Sequence, residues 1–255
     1  MFSQERQSTI RKIVRERHRL NFAELQTLVP ASPATLRRDL DALERVGHII
    51  RTHGGVLDPA YVRVEPSFAE RAGRHQAAKK LIAAHAIGLV PTGASVFVDA
   101  GSTCLEAGRQ LAARGDVRLV THSASLVAAA LHGQSELLCI GGDLRKLSGA
   151  FTGGTALGVL RELRVQVAFI GASGLHPGEG ASTTELSEAD MKQEIIARAT
   201  RVVLLADRSK WKNPSTVRFA GWNDFDDWIT DLPPGPAAIA RLRAGGTTVH
   251  KAGKN

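Results

Sequence analysis

Cysteine is scarce in this 255-residue chain: Cys104 and Cys139 stand alone and far apart. That excludes a disulfide framework and a cysteine-based zinc site. The nine histidines show no metal-ligand spacing, so neither a metal nor a cofactor is expected. No apolar run approaches the roughly 18 residues of a membrane span. Met1–Asn21 is basic and lacks the apolar core of a secretory signal. A cytoplasmic protein with no membrane partner is the expectation. Internal repeats and low-complexity stretches are also missing.

Hydrophobic residues make up 43% and charged residues 23%, enough apolar material for one small and one medium domain. The net charge is +8, which suggests a polyanionic partner or merely a basic surface. Location decides between them. Residues 1–57 carry ten Lys/Arg against six Asp/Glu, so half of the net charge sits in about a fifth of the chain.

Those residues read as three helices followed by a short ribbon. Ile10, Ile13 and Val14 give the first helix its buried stripe. Asn21 and Glu24 form a capping-box pair for the second, with Leu20 and Leu25 as its staple. Ser32 caps the third helix and Pro33 opens it. Leu36, Leu40, Leu43 and Val46 fall on one side of it. Ala34, Thr35, Arg38, Asp41 and Ala42 fall on the other, with Arg37 on the flank. Small residues admit a close backbone approach to DNA, and arginine forks onto guanine or phosphate. In a helix-turn-helix that is the half of the recognition helix facing the major groove. Gly47 can end the helix, and Ile49, Ile50 and Val56 can pair around Gly54-Gly55 as a wing carrying Arg51 and His53. From pattern alone, a dimerisation module or protein-binding cap remains the competing reading. Residues 58–72, with Pro59 and Pro66, read as a linker.

From residue 73 to 255 apolar strands alternate with amphipathic helices, which implies a mostly parallel sheet in an α/β domain. Strands are predicted at 95–99, 117–121, 137–140, 167–170, 202–206 and 227–230. Ligands in such sheets sit beyond the strands' C-terminal ends. After the first strand comes Asp99-Ala100-Gly101-Ser102-Thr103, opening a helix. It is either an anion site or an ordinary capped start. No Walker or dinucleotide fingerprint is present. After the second comes Thr121-His122-Ser123, again either ligand hydroxyls or a cap. Later strands are followed by Gly142, by a glycine-rich loop from Gly171, and by Asp207 to Lys210, while Glu188 and Lys192 lie on an intervening helix. Asp99, Glu188 and Asp207 are possible general bases, and equally ordinary acceptors for sugar hydroxyls.

The run Pro33-Ala34-Thr35-Leu36-Arg37-Arg38-Asp39-Leu40, then Leu43-Glu44 and Arg51-Thr52-His53-Gly54-Gly55, closely resembles the DeoR family of bacterial regulators. The likeness continues through nearly the whole chain. It implies a winged helix-turn-helix reading double-stranded operator DNA through Ser32, Ala34, Thr35, Arg37, Arg38, Arg51 and His53. It also implies a sensor domain resembling ribose-5-phosphate isomerase, which binds a phosphorylated sugar without catalysis. The matching effector positions are Asp99, Gly101, Ser102, Thr103, Thr121, Ser123, Gly142, Lys192, Asp207 and Lys210. His122 joins them where the family usually has Asn, either altering the sugar or pH response or standing as tolerated variation. The resemblance implies a homodimer or homotetramer that represses a carbohydrate-use operon and is released by its effector. An active isomerase and an activator are the alternatives.

Overall fold

The computed structural model describes residues 3–17, 19–52, 55–58 and 65–253. The chain divides into two compact units, residues 1–65 and 66–255.

The first unit contains α1 (Ser3–Arg17), β1 (Arg19–Asn21), α2 (Phe22–Leu28), α3 (Pro33–Arg45), β2 (Ile50–Thr52) and β3 (Gly55–Leu57). The strands form an antiparallel sheet in the order β1-β3-β2, so the expected ribbon gains a third strand from the residues before α2. The capping box forms as the sequence predicts: the Glu24 amide donates to Asn21 Oδ1, and the Asn21 amide to Glu24 Oε2, each at 2.8 Å. Ile10, Val14, Leu25, Leu36, Leu40, Leu43, Ile49 and Val56 close one core. Val46, expected inside, is 64% exposed. The helix stops at Arg45 and Gly47 turns left-handed at φ 70°, so the helical phase ends before Val46 can face inward.

The second unit begins with α4 (Phe68–Gly73) and α5 (Gln76–Ile87). The end of the segment read as linker is therefore helical. Ser67 and Glu70 form a capping box that sequence reasoning passed over. Then follow β4 (Ser95–Val98), α6 (Ser102–Arg114), β5 (Arg118–Thr121), α7 (Ala124–Ala130), β6 (Glu136–Cys139), β7 (Asp143–Arg145), β8 (Ala150–Thr152) and α8 (Gly153–Arg161). The remainder comprises β9 (Val165–Gly171), β10 (Gly174–His176), β11 (Gly180–Thr183), α9 (Leu186–Arg198), β12 (Ala199–Leu205), β13 (Val217–Ala220), β14 (Asp227–Thr230), α10 (Pro236–Ala244) and β15 (Thr248–Lys251).

Seven strands form one sheet in the order β15-β14-β12-β9-β4-β5-β6, and every pairing in it is parallel. Each face is covered. Val96, Val98, Leu119, Phe169 and Val203 pack into one core, while Phe97, Val120, Ala168, Ile170 and Leu204 pack into the other. This is why the strands read as unbroken apolar runs. From β4 the chain adds strands in one direction, and from β9 in the other. The order reverses between these two neighbours, which makes the crevice at their C-terminal ends the topological switch point. A small antiparallel sheet (β10-β11-β13) and the β7–β8 hairpin complete the unit.

Candidate functional site

The first unit presents α3 outward. Ser32, Ala34, Arg37 and Arg38 are exposed and Thr35 is half-buried. The Ser32 hydroxyl accepts the Thr35 amide at 3.2 Å and lies 2.8 Å from the Thr35 hydroxyl, so both start the helix as well as lining its tip. The three arginines differ. Arg37 stacks its guanidinium 5.4 Å from the Phe22 ring centroid. Arg51 is ion-paired with Asp41, and its amide donates to Glu44 Oε1 at 3.0 Å. Arg38 is exposed, with no ion pair to it among the described residues. His53 lies outside the described residues.

Asp39, the acid of the Arg-Arg-Asp-Leu run, points inward and is only 3% exposed. It accepts from Arg6 Nε, from Gln7 Nε2 at 3.1 Å and from Ser3 Oγ at 3.3 Å, tying α3 to α1. Burial pushes its carboxyl up, but these hydrogen bonds and the Arg6 charge outweigh that and hold it below the ordinary carboxylate value. The run thus alternates outward cations with an inward anchor, and the 100° step from Arg38 to Asp39 was the available signal.

In the second unit, Asp99 follows β4 and is 2% exposed. Its Oδ2 accepts the Gly171 amide at 2.9 Å across the switch point and is ion-paired with Lys192 of α9. Lys192 Nζ also donates to the Gly171 carbonyl at 3.1 Å. Asp99 Oδ1 lies 3.0 Å from His122 Nε2, and His122 Nδ1 lies 2.9 Å from the Phe151 carbonyl. Burial raises the Asp99 carboxyl, but Lys192 and His122 overcome it and hold the group well below its usual range. Gly171, which the sequence placed only in a loop, is central. A Cβ there would come within 3.2 Å of Asp99 Oδ2.

Beside this cluster α6 starts at Ser102 with Gly101 as its N-cap, and no side chain caps it. Ser102 is half-buried and Thr103 buried. The amides of the first turn and the helix dipole there favour an anion. Buried Cys104 stands next to them; burial and the nearby Asp99 push its thiol up, away from nucleophilic form.

The remaining candidates hold the framework. Thr121 Oγ1 donates to the Val98 carbonyl at 2.6 Å and accepts the Ser123 amide at 3.1 Å. Ser123 caps α7 by accepting the Leu126 amide at 3.2 Å. Gly142 is exposed at φ 141°. Asp207 is buried and caps the turn of Arg208–Lys210 by accepting the Ser209 amide at 2.9 Å. Lys210 is half-buried. The structure therefore gathers Asp99, Gly101, Ser102, Thr103, His122 and Lys192 around the switch point. Thr121 and Ser123 support it from behind.

Among the described residues, no helix is long and apolar enough to cross a membrane, and no group of three or more His, Cys, Asp or Glu side chains could hold a metal ion.

Comparison with known proteins places both units. Residues 6–59 match the DeoR-like helix-turn-helix domain, and residues 74–232 match the DeoR C-terminal sensor domain. The chain is 31% identical to the HTH-type transcriptional regulator GlpR of Haloferax volcanii, over 98% of each chain. It is 30% identical to the glycerol-3-phosphate regulon repressor of Haemophilus influenzae, over 90% of each. A solved D-ribose-5-phosphate isomerase in complex with phospho-erythronic acid aligns with 52% of each chain at 18% identity and a TM-score of 0.39. The two matched domains span most of the chain in the order of a DNA reader and a sensor, and the chain belongs to the DeoR family of helix-turn-helix transcriptional regulators.

Proposed function

We propose that this chain represses a carbohydrate-use operon and leaves its operator when a phosphorylated sugar binds the second unit. The observation that carries the reading is the buried Asp99–Lys192–Gly171 cluster at the switch point, beside the uncapped start of α6. A charged cluster there positions hydroxyl acceptors and donors, and the helix start favours a phosphate. Relatives named as glycerol-3-phosphate regulon repressors support an effector of this class.

The DNA contacts come from α3 and the wing. Ser32, Ala34, Thr35, Arg37 and Arg38 enter the major groove, and Arg51 and His53 reach phosphate. Arg51 must exchange Asp41 for a phosphate to do so. A homodimer or homotetramer sets two such heads one helical turn apart, about 34 Å. Release requires the effector to bind the off-DNA state more tightly than the on-DNA state.

The site binds without turnover. Relatives named as transcriptional regulators support binding alone, and each carboxylate that could act as a base also has a structural partner. Asp99 holds Lys192 and Gly171; Glu188 holds Arg145 at 3.2 Å and Thr183 at 3.2 Å; Asp207 caps its turn. A reporter placed behind the promoter of this protein's own gene tests the reading. Deletion of the gene raises expression, as does growth on the cognate sugar. A fall on deletion identifies an activator instead.

A further inference from the structure

The guanidinium of Arg71 on α4 has two buried nitrogens, Nε and Nη2, with no hydrogen-bond partner among the described residues. These two lie on one edge of the group, where their N–H bonds run nearly parallel and match two oxygens of a single oxyanion. Leaving both donors buried and unmet is costly, and native structures rarely tolerate it without a reason. One side of the guanidinium is occupied: its carbon lies 5.8 Å from the Phe68 ring centroid.

The surroundings are cationic. Lys79 on α5 is 4% exposed, and its ammonium donates to the Arg71 backbone carbonyl. Burial pushes Lys79 down; Arg71 and Lys210 push the same way, while Asp207 and Glu106 oppose them. Of these carboxylates, Glu106 is paired with Arg109. Asp207 is turned to the Ser209 amide. Glu70, next to Arg71 in sequence, is held by Ser67 through its amide at 2.8 Å and hydroxyl at 2.9 Å. No carboxylate among the described residues meets the open edge.

The cluster lies at the ligand-bearing end of the sheet. Asp207 and Lys210 follow β12, whose neighbour β9 borders the switch point, and α4 and α5 both pack on α6. We propose that the Arg71 edge, backed by Lys79, is an oxyanion subsite for a phosphate group. Two phosphate oxygens take the Arg71 fork, and the charges of Arg71 and Lys79 favour the anion over a neutral hydroxyl. In a sugar phosphate this is the phosphate itself, shared with the start of α6, on which α4 packs, an identification that rests on the effector reading above. Since α4 is the first helix of the second unit, an anion seated there acts directly on the segment that leads to the DNA-binding unit.

The test uses the full chain without DNA, titrated with inorganic phosphate at constant ionic strength and followed by thermal unfolding, with acetate as the control. Phosphate should raise the midpoint saturably and acetate should not. Arg71→Lys, which keeps the charge and loses the fork, should weaken the apparent phosphate affinity by at least about tenfold. An equal shift in Arg71→Lys, no shift in the wild type, or an equal shift with acetate overturns the proposal. Should Arg71→Lys not fold, phenylglyoxal modification of the wild type replaces it: phosphate slows modification at Arg71 if the site exists, and an unchanged rate refutes it. Phosphate binding through Arg71 with no sugar phosphate able to release DNA upholds the subsite and removes the effector reading. Release of DNA by a sugar phosphate with Arg71 indifferent to phosphate does the reverse.

Discussion

Asp99 and Lys192 stand 93 positions apart and meet as a buried ion pair where the sheet changes direction. Asp99 also takes the Gly171 amide, and Lys192 takes the Gly171 carbonyl, so three elements, β4, β9 and α9, converge on one point. Two charges taken out of water are poor value for stability alone. Under the proposed function, their place at the switch point gives a ligand a fixed acceptor and a fixed donor.

The pair should behave as a unit. Lys192→Met leaves Asp99 with an uncompensated buried charge and should destabilise the second unit by about 3–5 kcal/mol. Adding Asp99→Asn should recover at least about 1 kcal/mol of that loss. Urea unfolding of the two single variants and the double variant reads the coupling, and strictly additive effects would show that the two residues do not depend on each other.

Arg38 is exposed on α3 and, unlike Arg37 on the Phe22 ring and Arg45 on the Asp41 carbonyl, has no side-chain partner among the described residues, so it has nothing to give up on meeting DNA. Arg38→Ala should weaken operator binding by about 1–3 kcal/mol and leave the unfolding midpoint unchanged. Unaltered affinity in a binding titration would remove Arg38 from the reading face.

Asp39 is held below its ordinary value of 3.8 by donors from α1. A carboxylate depressed in the folded state adds stability that is present above the unfolded value and lost as pH falls through the folded one. Protection of α1 amides from hydrogen exchange should therefore hold from neutral pH to about 4 and fall below it. In Asp39→Asn that acid-dependent loss should shrink, with lower protection at neutral pH. An unchanged pH profile in the variant would show that Asp39 does not lock α1 to α3.

Gly142, chosen from sequence as a ligand contact, has a conformational reason to be glycine. Its φ is 141°, and a Cβ would stand 2.5 Å from the Thr152 carbonyl oxygen in the neighbouring hairpin strand. Gly142→Ala should cost about 1–3 kcal/mol of stability while operator affinity stays the same. A variant as stable as the wild type would mean that the turn relaxes freely.

Much of this was legible in the sequence because local chemistry announces itself. Asn21-x-x-Glu24, Ser32-Pro33 and Gly47 fixed the helix ends, and the apolar runs marked the six strands from β4 to β14 in the parallel sheet. Short polar strands carry no such mark. The β7–β8 hairpin, the β10-β11-β13 sheet and the edge strand β15 went unread, since three or four mixed residues have no usable period. For the site, the strand-end rule placed Asp99, Gly101 and Ser102 together, and the family resemblance added Lys192. Tertiary context decided the rest. The hydroxyls of Thr121 and Ser123 turn to backbone, and nothing local distinguishes the stranded edge of Arg71 from surface charge.

The proposed function has one chain read DNA and let go of it on meeting a sugar phosphate. Fluorescence anisotropy of a labelled fragment from upstream of this protein's own gene tests it directly. Protein is titrated first and then a panel of sugar phosphates, all at fixed salt because phosphate contacts make affinity salt-dependent. The expected result is tight, sequence-specific binding that one sugar phosphate reverses and its unphosphorylated sugar does not. Tight binding that no sugar phosphate alters, or reversal by the unphosphorylated sugar at equal concentration, would contradict it.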